Sequence, residues 1–401
     1  MGYIFDDWKK TLKDFQDSVE KDLEEIRKEI NEIDENMREL FVRRLAVSAE
    51  VAEAKRAKGT PILNPARERE ILARVAKEVG PDMENEARLF FTTLFSISRG
   101  RQRTAIQGEN ALVAQIAEAI AKTPNQFPSS ATVACPGTEG AYSQQATSRL
   151  FAFPTILYFR GFENVCRAVE TGMCDYGVLP IENSAVGSVP AIYDAMAQHS
   201  FKIVRAMRMR IRHVLLAKRG VKLADVREVT SHPHAIAQCS AFLLTHPEMR
   251  TIPASNTAAA AAELAASDRM DEAVIASRAC AELYGLDVLA EDISNVATNY
   301  TRFICISKDL QIYPDASKMT LLMSLAHHPG ALSGVLAKFA SIGVNLSKLE
   351  SRPVPGSDFE FRFTLDIEAS PRDPRVVKLL DGLASDPEVE HFTYLGAYDE
   401  K

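Results

Sequence analysis

No apolar run in this sequence approaches the ~20 residues that a membrane span requires. The first residues, MGYIFDDWKKTLKDFQ, hold no apolar stretch of the kind a secretory leader carries. Cysteine is sparse: Cys135, Cys166, Cys174, Cys239, Cys280 and Cys305 include no CxxC pair and no disulfide-like spacing. Reduced thiols packed inside a cytoplasmic protein are therefore expected. HExxH, GxGxxG and GxxxxGKS/T are missing, and the eight histidines show no metal-ligand spacing. Nothing in the chain asks for a metal, nucleotide or redox cofactor. Positive charge is short as well, and a formal net charge of −7 gives no reason to expect nucleic acid or an anionic membrane as partner. What is present, 401 residues at 46% hydrophobic and 25% charged, suits a soluble protein of two or three domains.

Three textures follow one another. Residues 1–104 read as all helix, with Leu23, Ile26, Ile30, Ile33, Met37 and Leu40 stepping by three and four in a coiled-coil-like seam. No Gly or Pro interrupts Phe15 to Lys58, which allows one helix of ~40 residues and ~60 Å. Such a helix cannot bury its stripe within one small chain, so dimerisation is expected. GTPILNP ends it, and two shorter helices are expected at about 65–79 and 82–104. Residues 105–130 read as a connecting helix and loop. Residues 131–308 alternate strands such as DYGVLPI, HVLLAK, VREVTS and EAVIAS with helical stretches, an α/β domain. Residues 318–398 run strand, helix, strand, strand, helix, strand, the α+β ferredoxin-like plan.

The seam of the long helix carries a misplaced charge. Val47, Val51 and Ala54 continue it, but the step at 44 is Arg44. Lys55, eleven residues on, returns to within about 20° of it. A guanidinium and an ammonium on one edge of a buried face call for an anion, from a neighbouring Glu or from a ligand, unless they snorkel to water. In the third helix Ser98 and Gln102 extend an apolar stripe from Leu94 in the same way. Polar and cationic groups on facing helices suggest a pocket for a small dianion.

These residues resemble the all-helical chorismate mutase family, in which helices from two protomers form each site. The likeness runs from about Leu23 to Gln102 and rests on LEEIRKEINEID, RRLAVSAEVAEAK, GTPILNPAREREIL and SISRGRQ. It implies that Arg27 is supplied by the partner subunit and that Arg44 binds a carboxylate. Lys55 and Gln102 would donate to the breaking ether oxygen, and Glu68 would face the substrate hydroxyl. Arg67 and Ser98 complete the implied set. Asn64 stands where many relatives have Asp, and Gln102 depends on a one-residue gap, without which Arg101 takes that place. The chemistry needs no acid, base or nucleophile, only a folded substrate and stabilised charge on the ether oxygen.

In the α/β segment, several strands run through Ser, Thr or Asn into a helix. Ser231 precedes Pro233; Ser255, Asn256 and Thr257 precede an alanine-rich run; Gly140 and Ser143 lie at a third start. Each is an ordinary helix cap taken alone, but helix N-termini and hydroxyls also bind carboxylates. The strand-like NVATNYTRFICIS opens on a polar cluster, Asn299, Thr301 and Arg302, where Arg302 either serves a ligand or pairs with a structural Asp. The set GTEGAYS, VLPIENSAVGSV, SHPHAIAQC, ASNTAAA and NYTRF resembles prephenate dehydratase over about 131–305. That implies two α/β lobes around a cleft, similar to periplasmic binding proteins. Thr301 would assist departure of the ring hydroxyl, and Ser143, Asn183, Ser184, Ser231, Asn256, Thr257 and Arg302 would line the cleft.

HHPGALSGVLAKFASIGVNLSKLESRP resembles the ACT regulatory family, whose domains pair between subunits and bind phenylalanine. The likeness places the effector at Gly330, Ala331 and Leu332 and at Glu350, Ser351, Arg352 and Pro353. In this order the three resemblances are those of bifunctional chorismate mutase–prephenate dehydratases. They imply chorismate and prephenate as substrates, L-phenylalanine as inhibitor, and a homo-oligomer, dimer or tetramer. The rival readings are a dehydratase whose helical domain only dimerises, and a non-catalytic amino-acid sensor.

Overall fold

Asn64 and Pro65 show how a local signal becomes a helix. The Asn64 side chain accepts from Arg67 N at 3.1 Å, and Pro65 occupies the first helical position, where no amide is needed. The computed structural model describes residues 23–107, 111–354, 356 and 360–401. It places α1 at Leu23–Lys58, α2 at Pro65–Val79, α3 at Glu84–Gln107 and α4 at Ala111–Lys122. The part of the expected long helix before Leu23 lies outside the described residues. The third helix runs three residues beyond the expected 104, because nothing in RQRTAIQ stops it. Gly100 inside it is tolerated without a break.

The chain divides into two compact units. One holds the described residues up to Ala111, with Pro329–Lys338 and Leu380–Pro387; the other holds Leu112–His328, Phe339–Leu379 and Glu388–Lys401. Among the described residues no helix is long and apolar enough to cross a membrane. All six cysteines are free and buried. Burial pushes the Cys135 thiol up to about 11 and Cys166 and Cys239 up to about 12, so these side chains pack as small hydrophobes.

The second unit contains three sheets. The first is built from β1 (Ser130–Pro136), β2 (Phe153–Phe159), β3 (Tyr176–Asn183), β5 (Lys202–Arg210) and β11 (Tyr300–Ser307) in the order β2-β1-β3-β11-β5. A short β4 (Gly187–Ser188) turns back on β3. Helices α5 (Tyr142–Leu150), α6 (Phe162–Glu170) and α7 (Pro190–Gln198) connect them. The second sheet has the order β10-β6-β9-β7-β8, from β6 (Val214–Ala217), β7 (Glu228–Ser231), β8 (Arg250–Pro253), β9 (Glu272–Ala276) and β10 (Asp287–Ala290). Its helices are α8 (Pro233–Gln238), α9 (Ser240–Leu244), α10 (Thr257–Ala266) and α11 (Arg278–Tyr284). The chain thus leaves the first sheet after β5, builds the second, and returns through β11. The βαβαβ alternation read from the sequence reflects parallel pairing of β1 with β2 and β3, and of β7 with β8 and β9.

The third sheet, order β13-β14-β12-β15, is all antiparallel. Its elements run β12 (Lys318–Leu325), α12 (Ala331–Ser341), β13 (Asn345–Pro353), β14 (Phe361–Glu368), α13 (Pro374–Ala384) and β15 (Val389–Tyr398). One face of β11 packs toward it: Ile304 and Ile306 share a buried cluster with Leu322, Leu395 and Tyr398. The other face, Phe303 and Cys305, belongs to a separate cluster with Val133, Cys135 and Phe151. This two-sided burial explains why FICI is continuously apolar instead of alternating.

Candidate active sites

In the helical segment the misplaced cation is met by the polar stripe. Arg44 Nη1 donates to Ser98 Oγ at 2.5 Å, and Ser98 donates to the Leu94 carbonyl at 2.8 Å. The guanidinium also lies 5.7 Å from the centre of the Phe95 ring. Burial lowers the Arg44 pKa, and the Glu68 carboxylate acts in the opposite direction. Lys55 donates to the Ile62 carbonyl, which ties the loop before α2 back to α1. Gln102 is buried while Arg101 is exposed, so Gln102 takes the inward position. Among the described residues Gln102 Oε1 is buried with no hydrogen-bond partner. A buried amide oxygen without a partner marks an acceptor that a ligand's donor can complete.

Two expected residues are placed differently. Arg67 pairs with Glu70 at 2.7 Å on the exposed side of α2, because one position before Glu68 is 100° round the helix. Glu68 is held instead by Arg99, whose Nη1 lies 2.6 and 2.7 Å from the two carboxylate oxygens and which is only 8% exposed. Arg99 was missed in the sequence, though its four-residue spacing from the buried Phe95 marks an inward position. Asn64 is engaged as the cap of α2. Arg27 is exposed, and so is half or more of each of Leu23, Ile30, Ile33 and Leu40. Among the described residues of one chain nothing covers this stripe.

In the α/β segment Thr301 sits at the start of β11, directly opposite Asn183 on β3. Asn183 Oδ1 accepts from the amides of Ala185 and Val186 at 3.0 and 3.1 Å. This fixes the amide, and its Nδ2 faces Thr301 Oγ1 at 2.9 Å and Asn299 Oδ1 at 2.7 Å. Because Thr301 accepts this bond, its own proton remains available to another group. The network continues from Asn299 Nδ2 to Gln238 Oε1 at 3.2 Å, and from there to His213 Nε2 at 3.0 Å. It links the first sheet to α8 and β6 of the second. Burial lowers the His213 pKa, with the Gln238 bond opposing, so the ring is held neutral. Asn299 had been noted only as part of the polar cluster, and Gln238 and His213 were missed; no periodic signal marks them.

Ser184 is exposed and bonds the entry to β11, receiving Tyr300 N at 2.9 Å and donating to the Thr298 carbonyl at 3.2 Å. Asn256 caps α10 through Ala259 N at 2.7 Å, and Thr257 begins the helix half-buried. Ser143 is buried in the first turn of α5. The starts of α5 and α10 approach closely. Gly140, at φ +88°, lies where a Cβ would be 2.9 Å from Cys280 Sγ and 3.6 Å from the Ala258 Cβ, so only glycine fits.

Two further residues depart from the expectation. Ser231 is fully buried and donates to the Ile275 carbonyl at 2.6 Å, tying β7 to β9 instead of facing the cleft. Arg302 is aimed away from Thr301, because successive strand residues point to opposite faces. Its Nη1 reaches Asp366 at 2.5 Å and its Nη2 reaches the Tyr398 hydroxyl at 2.9 Å. Its Nε lies 3.5 Å from the Glu400 carboxylate. The pairing with a structural Asp is therefore the reading that applies. Between Arg302 and Phe303 the ladder to β3 shifts by one residue, so that Ile181 is extra. This bulge puts Asn183 on the face of Thr301, and Glu182 on the face of Arg302.

The residues expected to bind an effector lie on two elements. Gly330, at φ +93°, precedes α12, with Ala331 and Leu332 in its first turn. On β13, Glu350 accepts from Ser188 Oγ at 2.8 Å and Arg352 pairs with Asp194 at 3.1 Å, while Ser351 and Pro353 are exposed.

Comparison with known proteins matches the two segments that hold these centres. The chorismate mutase type II family matches residues 26–103, and the prephenate dehydratase family matches residues 133–311. A bifunctional chorismate mutase/prephenate dehydratase of Escherichia coli (strain K12) is 31% identical over 364 residues, covering 89% of this chain and 92% of that protein. The chain belongs to the bifunctional chorismate mutase/prephenate dehydratase family. Chorismate mutase and prephenate dehydratase activities, both in phenylalanine biosynthesis, come with that membership. An Arabidopsis thaliana arogenate dehydratase/prephenate dehydratase is 36% identical over 253 residues, 60% of this chain and 66% of that protein. The crystal structure of an Arthrobacter aurescens prephenate dehydratase in complex with L-Phe superposes with a TM-score of 0.62. It is 35% identical and covers 67% of this chain and 89% of that one.

Proposed function

We propose that the two centres act in series, chorismate becoming prephenate in the helical segment and prephenate becoming phenylpyruvate beside Thr301. Phenylalanine inhibits the second step by binding the third-sheet segment, an ACT domain. Arg44 holds a carboxylate of chorismate, while Lys55 and Gln102 face the ether oxygen as negative charge grows on it. A second copy of the chain covers the seam of α1 and brings Arg27 to the site, giving a homo-oligomer. In the dehydratase step the C–CO₂⁻ bond breaks and its electron pair enters the ring. The ring C–O bond breaks in turn, and the hydroxyl leaves as water on taking a proton. Thr301 is aimed to donate that proton and recovers one from solvent. Asn183, Ser184, Asn256, Thr257 and Ser143 orient the substrate. Glu350, Ser351, Arg352 and Pro353, with Gly330, Ala331 and Leu332, form the effector site.

The observation that carries this reading is the Thr301–Asn183 bond, in which a locked amide donates to the hydroxyl and leaves its proton free. Feeding chorismate to the purified protein, with and without phenylalanine, tests it. Phenylpyruvate formation that falls on adding phenylalanine supports all three parts. Prephenate accumulating alone overturns the role of Thr301, and phenylpyruvate indifferent to phenylalanine overturns the ACT assignment.

A further inference from the structure

Behind the Thr301–Asn183 pair lies a second pair that the chemistry above does not use. Arg302 and Glu182 are direct cross-strand neighbours on β11 and β3, one residue along from Thr301 and Asn183 and on the opposite face. On the third sheet, Asp366 of β14 and Lys348 of β13 are likewise direct cross-strand neighbours. The two pairs meet with opposite signs. Arg302 lies 2.5 Å from Asp366, and Glu182 lies 3.0 Å from Lys348. The four charges alternate around a ring that joins the third sheet to the two strands carrying the dehydratase centre.

Most of this ring is withdrawn from water. Arg302 is 7% exposed, Asp366 2%, and the Lys348 side chain 11%. Water therefore cannot cheaply replace a lost partner of Arg302, Asp366 or Lys348, and a displaced Asp366 leaves the buried Arg302 to the Tyr398 hydroxyl and the Glu400 carboxylate 3.5 Å away, while Glu182 keeps 38% of its side chain exposed. The bulge lies at the same point of the β3–β11 ladder, where one residue of β3 goes unpaired between the two pairs. A small shift there moves Thr301 relative to Asn183.

We propose that Arg302 and Glu182 are positioning residues for the dehydratase centre. The charges of Lys348 and Asp366 set them in place, and regulatory movement of β13 is relayed to Thr301 by this ring. The regulatory half rests on the effector reading above; the positioning half does not need it. An effector can shift the centre only by favouring one arrangement of the ring over another.

Charge reversal tests both halves on the full-length protein. Lys348→Glu and Glu182→Lys are made singly and together, with Lys348→Met as a milder variant. Dehydratase kcat and KM for prephenate are measured without effector, and mutase activity reports that the chain is folded. Each reversal is expected to lower dehydratase kcat about tenfold or more, as small misplacements at a centre do, with KM changing much less. The double reversal regains most of kcat. Unchanged kcat in the singles, or a double variant no better than either, overturns the positioning role. Phenylalanine inhibition and direct phenylalanine binding are then compared. The single reversals are expected to lose about fivefold or more in inhibition while binding persists. Binding lost in equal measure means that the ring is part of the effector site and does not relay its state. A wild-type protein that does not bind phenylalanine removes the effector reading, while the kcat comparison still decides the positioning.

Discussion

The two centres are finished by different means. The helical one is open: its cations line a face whose apolar stripe has no cover among the described residues, and Arg27 is exposed. The α/β one is closed by its own fold, with Asn183, Asn299, Gln238 and His213 bonded in a line behind Thr301. A site built on helix faces can borrow residues from another copy. A site built across a strand ladder depends on register inside the chain. The first should respond to concentration and the second to single hydrogen bonds.

The strongest way to separate them is to remove one chemical group from each. Thr301→Val should cut phenylpyruvate formation by about 10²–10⁴-fold, the usual worth of a positioned proton donor, and leave mutase activity intact. Arg44→Ala should do the converse, by about 10²-fold or more. Either variant affecting both reactions equally would end the comparison. A charge in the seam, Ile33→Asp, should halve the particle mass in sedimentation and remove mutase activity at low protein concentration while the dehydratase persists. Mutase activity that survives in a monomer would mean that the helical centre is complete in one chain.

Acid should weaken the closed centre in a defined window. His213 is buried and its pKa lies below the ordinary 6.5, so the unfolded chain takes up the proton first as pH falls. Its contribution to stability is complete above about pH 6.5 and is lost as pH drops through the folded value. The melting temperature of the wild type should therefore fall more between pH 7.5 and 5.5 than that of His213→Asn; equal falls would show a charged ring. The smallest effect belongs to Ser231→Ala, which should cost about 1 kcal/mol in chemical denaturation and leave kcat/KM for prephenate alone. A large loss of turnover would return Ser231 to the cleft.

Much of this was legible in the sequence, and the misses share a cause. The Asn64-Pro65 start, the α1 seam and the βαββαβ order rest on local signals, and those elements form where expected. Gln102 and Ser98 could be placed inward because a polar group interrupting a four-residue step is visible on one helix, and both are buried. Arg302 was misjudged because adjacent letters read as one motif while the pleat sends them to opposite faces. Ser231 was misjudged because a hydroxyl before a helix looks alike whether it faces a cleft or a neighbouring strand. Asn299, Gln238 and His213 meet only in the folded chain, from three elements with no shared period.

The bulge at Ile181 has a consequence of its own. Along β3 the odd positions Leu179 and Ile181 face the third sheet, yet Asn183 faces the other way. A single extra residue has thus swapped which letter is read on which side. Paired without the bulge, the same strand would set Glu182 opposite Thr301 and Ile181 opposite Arg302, a carboxylate where the amide now stands. The dehydratase centre is specified by register, and a slip of one in the pairing would rewrite its chemistry without removing any of its parts.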